Sequence, residues 1–201
     1  MEQALEKLTQ ELQRRLFVEL EASGRHVHVT KEQAMILFGH DLTEARPLSQ
    51  PGQYLAQERV ELQTPKGSMK HVAVLGPCRK EAQVELSATD AVALGIKPPV
   101  RLSGDVAGSA SITLVGEKGI VTLQQGAVIA QRHIHMSPED AAIQGVKSGD
   151  VVRLRTLTGR PVVLEQVAVR VSPDFRTFAH LDYDEANACG FQKGDLGMIL
   201  P

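Results

Sequence analysis

Aromatic residues are scarce in this chain of 201 residues, where Phe, Tyr and Trp together make up 3% and Trp is absent. Proteins that bind single-stranded nucleic acid commonly stack its bases on aromatic side chains. The formal net charge of −2 also gives no basic excess for a phosphate backbone. We therefore expect no nucleic-acid partner, and any phosphate-bearing ligand must be held by a local cluster of Lys and Arg.

Cysteines and long apolar runs are scarce as well. The two cysteines, Cys78 and Cys189, are too few for a disulfide framework, and the charged, helical start of the chain is unlike a signal peptide. No apolar run approaches the roughly 20 residues of a membrane-spanning helix. These features predict a cytoplasmic protein with two reduced thiols and no membrane partner.

Short segments with the periodicity of β-strands make up much of the chain. Leu16, Val18 and Leu20 alternate with Phe17, Glu19 and Glu21, which is the period of a strand, and several later short segments rich in β-formers are separated by brief turns such as 65–67. Residues 2–14 differ, because apolar residues recur there at helical spacing, at Ala4, Leu5, Leu8 and Leu12. We predict an amphipathic helix followed by a mainly β fold with short α-helices.

Internal repeats indicate a duplication. The segment Arg-His-Val-His at 25–28 returns as Arg-His-Ile-His at 132–135. A second unit has a capping residue, an acid or Gln three positions later, and then a Gly, which is typical of a capped two-turn helix. This unit begins at four places, Thr30, Ser87, Ser137 and Asp182. We therefore predict two duplicated small β-barrels capped by short helices.

The expected division of the chain follows from the repeats. Residues 1–14 form the N-terminal helix, residues 25–131 form the first barrel, and residues 15–24 together with 132–201 form the second barrel. Assigning 15–24 to the second barrel rests on the family resemblance described below.

His-x-His on a strand places both imidazoles on one face, because side chains alternate with a period of two. The sequence therefore contains two bidentate ligand pairs suited to a cation such as zinc, His26 with His28 and His133 with His135. A cupin metal motif would also need a strand glutamate after each pair, but Glu139 lies in a predicted helix start. An amidohydrolase barrel requires a longer chain.

The segment from Gly76 to Glu85 contains two cations and a carboxylate near a turn. Arg79 could bind phosphate through its planar fork, and Glu85 could complete a zinc site. Taken alone, a segment of this kind is more often a solvated charged stretch. His180 carries no distinctive pattern of its own.

Many ordered motifs resemble the PduL-type phosphate propanoyltransferases, the phosphotransacylases of bacterial microcompartments. The resemblance runs from about Leu16 to Gly190 and rests on these segments: Arg-His-Val-His-Val-Thr at 25–30, Leu-Ser-Gln-Pro-Gly-Gln at 48–53, Gly-Pro-x-Arg-Lys at 76–80, Gln-Val-Glu at 83–85, Lys-Pro-Pro-Val-Arg-x-Ser-Gly-Asp at 97–105, Arg-His-Ile-His-Met at 132–136 and Asp-Glu-Ala-Asn at 184–187.

The resemblance implies a phosphate acyltransferase with about two zinc ions per chain. It would interconvert acyl-CoA (propanoyl-CoA or acetyl-CoA) plus phosphate with acyl phosphate plus CoA. Arg79 would bind phosphate, and Ser23, Asn187 and His180 would contact CoA. The implied zinc ligands are His26, His28, Glu85, His133, His135 and His180.

The resemblance also implies a bacterial cytoplasmic enzyme, a homodimer or larger homo-oligomer that can lie inside a microcompartment. Residues 2–14 could then dock on the shell or on cargo, or pack on the enzyme itself. Two other functions remain open: a zinc-dependent thioester hydrolase and a non-catalytic metal-binding microcompartment module.

Three positions depart from the expected pattern. Cys78 and Cys189 stand where small residues are expected, so we interpret them as packing residues, although a Cys78 acyl-enzyme stays open. Gly24 stands where Asn is expected.

Overall fold

The computed structural model describes residues 2–200. Within its first helix the side chains of residues 2–4, 7 and 10 are not described, so the predicted place of Ala4 in the apolar stripe lies outside the described residues. In chain order the elements are α1 (Glu2–Leu16), β1 (Val18–Ala22), β2 (His26–His28), α2 (Lys31–Phe38), β3 (Glu44–Pro47), β4 (Tyr54–Gln63), β5 (Ser68–Gly76), β6 (Gln83–Leu86), α3 (Ala88–Leu94), β7 (Val100–Arg101), β8 (Ala110–Val115), β9 (Ile120–Ala130), β10 (His133–Met136), α4 (Pro138–Gln144), β11 (Val151–Leu157), β12 (Val163–Val171), β13 (Phe178–Leu181), α5 (Tyr183–Cys189) and β14 (Leu196–Leu200).

The chain divides into two compact units. Gly24–Gln131 form one, which we call the continuous unit, and Met1–Ser23 with Arg132–Pro201 form the other, the discontinuous unit. Among the described residues, no helix is both long enough and apolar enough to cross a membrane.

Each unit is built on a closed ring of six strands. In the discontinuous unit the order is β1-β13-β10-β12-β11-β14. In the continuous unit β4-β5-β2-β6-β9 are neighbours, and β8 closes the ring by pairing with both β9 and β4. β3 and β7 extend this ring at β4 and β9. The predicted mainly β fold with two small barrels and short helices is confirmed.

Each barrel has its own apolar core, formed by the inward-facing residues that alternate along its strands. In β5 the residues Val72, Val74 and Gly76 are buried and their neighbours are more exposed, as expected for a strand with one face inside. The barrel cores contain mostly Val, Leu, Ile and Ala, which suits β-strands whose branched side chains pack across a pleated surface.

Four short helices begin at the predicted caps. The side chains of Thr30, Ser87, Ser137 and Asp182 each accept a hydrogen bond from the backbone N–H three residues later. Each helix ends at a glycine in the left-handed conformation, which has a low cost only without a Cβ atom. The four terminating glycines are Gly39, Gly95, Gly145 and Gly190.

The first helix is longer than predicted. We expected it to end at residue 14 and a strand to start at Leu16, but α1 continues to Leu16 and β1 starts at Val18. The Phe17 N–H donates to Gln13 O at 2.8 Å, which completes the last helical turn. Leu16 also lies four residues after Leu12, so it fits the helical stripe as well as the strand alternation.

Candidate active site

In the continuous unit, His26, His28 and Glu85 form one buried cluster. β2 lies between β5 and β6, and its register with β6 sets His26 directly opposite Glu85. Alternation along β2 then brings His28 to the same face. One ligand atom from each of the three side chains lies within 4.8 Å of the others. We call this group the His-His-Glu cluster.

The discontinuous unit repeats this arrangement with a third imidazole. β10 lies between β12 and β13, and His133 is directly opposite His180. Ligand atoms of His133, His135 and His180 again lie within 4.8 Å of one another, and their ring centroids are 4.6 to 4.9 Å apart. We call this group the three-histidine cluster.

A sequence signal could have pointed to Glu85 and His180 without any family resemblance. His28 and His135 each lie two residues before a helix N-cap, at Thr30 and Ser137. Glu85 and His180 lie two residues before the other two caps, Ser87 and Asp182. The fourfold helix unit therefore marks the position of one cluster residue in each copy.

The donor set and its surroundings suit a metal ion such as zinc. Two histidines with a carboxylate, and three histidines, are both ligand sets of zinc sites that keep a position open for substrate. His26 Nδ1 lies 2.8 Å from Gly24 O, an arrangement that fixes the ring and leaves Nε2 facing the cluster. Within the described part of the chain, the buried Nδ1 of His28 has no hydrogen-bond partner.

The pKa values of His26 and His28 are shifted in opposite directions by their surroundings. Burial, the neighbouring His26 charge and the Arg79 charge lower the pKa of His28 well below its usual value. Burial also opposes protonation of His26, but the adjacent Glu85 carboxylate outweighs it and raises the pKa of His26. Burial opposes ionisation of Glu85, yet His26 and hydrogen bonds hold the pKa of Glu85 far below its usual value. The cluster thus holds an ionised carboxylate and a neutral His28 ring.

Arg79 belongs to the surroundings of the His-His-Glu cluster. Its backbone N–H donates to Val29 O at 2.9 Å, and its Nη1 donates to Ser103 Oγ at 2.9 Å. Gln83 donates from Nε2 to Glu85 Oε1 at 2.7 Å. Gln83 and Ser103 occur in the family-like motifs, but the sequence assigned neither of them a role.

Of the three residues predicted to contact CoA, His180 belongs to the three-histidine cluster, and the other two lie on separate elements of the discontinuous unit. Ser23 follows β1, and its N–H donates to Leu181 O at 2.7 Å. Asn187 is an exposed residue of α5. Their assignment to CoA rests on the resemblance.

Both cysteines are free thiols. Burial raises the pKa of Cys78 and of Cys189, so both stay protonated at neutral pH, and a protonated thiol is a poor nucleophile. Cys189 is fully buried, as expected for a packing residue.

Two six-stranded barrels, each with a buried cluster of three potential metal ligands, define a β protein suited to metal-assisted chemistry. The sequence profile of the phosphate propanoyltransferase family matches residues 19–192. This chain therefore belongs to the phosphate propanoyltransferase family, and it is an acyltransferase of the phosphotransacylase class.

Individual relatives agree with this assignment. The phosphate propanoyltransferase of Listeria monocytogenes is 52% identical over 91% of this chain and 87% of its own length. That of Clostridioides difficile is 46% identical over 100% of this chain and 97% of its own length. That of Thermotoga maritima is 48% identical over 89% of this chain and 86% of its own length. The resemblance seen in the motifs is confirmed.

Proposed function

We propose that this protein is a zinc-dependent phosphate acyltransferase. It interconverts propanoyl-CoA or acetyl-CoA plus phosphate with the corresponding acyl phosphate plus CoA. Family membership supports the reaction class. One observation carries the proposal for this chain: the charge of Arg79, a cation suited to phosphate, acts on His28 in a buried cluster suited to a metal ion.

The two clusters would hold about two zinc ions per chain, because each offers three ligands and a catalytic zinc ion uses three protein ligands. His26, His28 and Glu85 would hold one ion, and His133, His135 and His180 would hold the other. Lewis acidity toward the thioester carbonyl and the departing thiolate is the chemistry that zinc supplies when bound.

Arg79 would bind and orient the phosphate. Its guanidinium can donate two parallel hydrogen bonds to phosphate oxygens, which neutralises charge and aims a third oxygen at the acyl carbon. The hydrogen bond to Ser103 Oγ fixes one end of the guanidinium. In the transfer, a new C–O bond forms to phosphate, the C–S bond breaks, and the electron pair leaves with the CoA sulfur.

Burial would favour transfer to phosphate over transfer to water. The residues His26, His28 and Glu85 are between 2% and 7% exposed, so a bound acyl group next to them would meet little solvent. We propose direct displacement, since both thiols have raised pKa values and are poor nucleophiles. Ser23, Asn187 and His180 would contact CoA, and the enzyme would act as a homodimer or larger homo-oligomer.

Metal removal combined with phosphate omission tests this function. Zinc-loaded protein should release CoA from propanoyl-CoA only when phosphate is present, and chelation followed by zinc addition should abolish and restore that release. Release without phosphate would instead identify a thioester hydrolase. If no CoA is released from either acyl-CoA under any of these conditions, the protein is a non-catalytic metal-binding module.

We further propose that α1 docks the enzyme, in the bacterial cytoplasm, on a microcompartment shell or its cargo. Leu5, Leu8, Leu12 and Leu16 lie along α1 and are between 49% and 64% exposed, and an apolar helical stripe of this kind suits a groove on a partner. Leu5→Gln with Leu8→Gln and Leu12→Gln should abolish co-sedimentation with shells and leave turnover unchanged. Retained co-sedimentation, or a loss of the oligomer, would contradict docking.

A further inference from the structure

Gln83 is a buried amide that links the Glu85 carboxylate to the Arg79 guanidinium. Its side chain, on β6, is 2% exposed. Its Nε2 donates to Glu85 Oε1 at 2.7 Å and to Ser103 Oγ at 3.3 Å. Ser103 Oγ also accepts from Arg79 Nη1 at 2.9 Å. A chain of hydrogen bonds therefore runs from the carboxylate to the guanidinium within the continuous unit.

The backbone fixes the orientation of this amide. The Gly104 N–H donates to Gln83 Oε1 at 2.7 Å, so the amide oxygen faces Gly104 and both amide N–H groups face Glu85 and Ser103. A flipped amide would turn its oxygen toward a carboxylate and its N–H groups toward another donor. The Ser103 hydroxyl accepts from two donors, Gln83 and Arg79.

The two oxygens of Glu85 thus have different partners. Oε1 accepts from Gln83, and Oε2 lies 3.6 Å from His26 Nε2. A carboxylate held in this way presents one oxygen to the cluster, and groups that orient a metal ligand tune its affinity for the metal.

We propose that Gln83 is a positioning residue for the acyl transfer. It holds Glu85 with Oε2 turned toward His26, and through Ser103 it holds Arg79 in the position that receives phosphate. The inference rests on the proposed function, in which Glu85 binds zinc and Arg79 binds phosphate.

The discontinuous unit provides an internal comparison. Gln83 lies opposite His28 in the register of β2 and β6, and Phe178 lies opposite His135 in the register of β10 and β13. The third residue of that cluster is His180, an imidazole in place of the Glu85 carboxylate, and its Nδ1 lies 3.3 Å from Glu21 Oε2. An amide therefore stands at this register position in the unit whose three-residue cluster includes a carboxylate, and an apolar ring stands there in the other unit.

Gln83→Met tests the role, because Met has similar length and neither donates nor accepts as an amide does. Gln125→Met is the matched control, since Gln125 also accepts from a backbone N–H, that of Gly108 at 3.0 Å, but is exposed. In Gln83→Met we expect the protein to bind one of its zinc ions about tenfold more weakly than wild type does, as measured by competition with a chelator. The phosphate KM should rise by roughly the same factor, while Gln125→Met matches wild type.

Ser103→Ala separates the two ends of the link and does not depend on the folding of Gln83→Met. It removes the group that joins Gln83 to Arg79, so the phosphate KM should rise more than zinc binding weakens. The positioning role would be overturned if Ser103→Ala left the phosphate KM unchanged. It would also be overturned if a folded Gln83→Met bound zinc as tightly as Gln125→Met and had the same phosphate KM. Wild-type protein without phosphate-dependent CoA release would overturn the proposed function instead.

Discussion

At the scale of single residues, Arg79 is a cation kept close to two buried histidines. Its charge, after burial and the His26 charge, contributes to the lowered pKa of His28. A neutral imidazole is the form that binds a metal ion. The Arg79 charge that helps to lower the pKa of His28 is the same charge that the proposed function assigns to phosphate binding.

Arg79→Lys should impair the use of phosphate with little effect on folding. Lys keeps a positive charge but loses the planar fork, so we expect the phosphate KM to rise roughly tenfold or more. Arg101→Lys is the control, because Arg101 belongs to the same unit and forms an exposed ion pair with Asp105. The measurement is steady-state kinetics over a range of phosphate concentrations, and an unchanged KM and kcat in Arg79→Lys would refute the assignment.

The residues of the two clusters differ in how far sequence could predict them. His26 and His28 share a face by strand alternation alone, and so do His133 and His135. Glu85 and His180 join them through strand register, which tertiary pairing decides and local periodicity does not. Gln83 could not be identified as a linking residue, because its hydrogen bonds depend on a turn near Ser103 that is distant along the chain.

At the scale of elements, α1 is attached to α4 at its C-terminal end. Arg14 Nη2 lies 2.6 Å from Asp140 Oδ1 and 3.0 Å from Glu139 Oε2. The amide of Gln144 donates to Arg14 O at 2.7 Å. This attachment lies beyond Leu12, so α1 is fixed to its own unit while the apolar stripe stays exposed. The sequence predicted the helix but neither its end nor this contact, which involves residues more than a hundred positions apart.

Asp140→Asn should destabilise the protein at neutral pH by about 1 kcal/mol, because it removes the charge from an ion pair in which the Asp140 side chain is 13% exposed and the Arg14 side chain is 39% exposed. Burial opposes ionisation of Asp140, but hydrogen bonds from Thr177 and Arg14 lower its pKa. Its contribution is therefore present above the ordinary aspartate pKa and is lost as the pH falls through the lowered value.

Chemical denaturation at several pH values measures this contribution. The difference between wild type and Asp140→Asn should shrink as the pH falls below the ordinary aspartate range. Glu139→Gln is the control, because the Glu139 side chain is 70% exposed and contacts the same Arg14; we expect a change within about 0.5 kcal/mol. Equal effects of the two substitutions would contradict the importance of burial.

At the scale of the whole molecule, a duplicated barrel carries two versions of one cluster. Both use a His-x-His strand, a register partner opposite the first histidine, and a helix cap two residues after the partner. The partner is Glu85 in one unit and His180 in the other. A zinc ion would therefore keep a smaller net charge in the His-His-Glu cluster than in the three-histidine cluster.

Zinc content should fall stepwise when the clusters are removed separately. We expect about two zinc ions in wild type and about one in His26→Ala with His28→Ala, or in His133→Ala with His135→Ala. His40→Ala should keep the wild-type content, because the exposed His40 belongs to neither cluster. The measurement is elemental analysis of purified protein, and full zinc content in either double variant would exclude that cluster as a zinc site.

The identity and ratio of the two products test the phosphate acyltransferase function most directly. Zinc-loaded protein is mixed with propanoyl-CoA and phosphate, free CoA is measured by its thiol, and propanoyl phosphate is measured by phosphorus NMR. The function predicts that CoA and propanoyl phosphate appear in equal amounts, and that His26→Ala with His28→Ala abolishes both. Free CoA accompanied by propanoate, with no propanoyl phosphate, would contradict it.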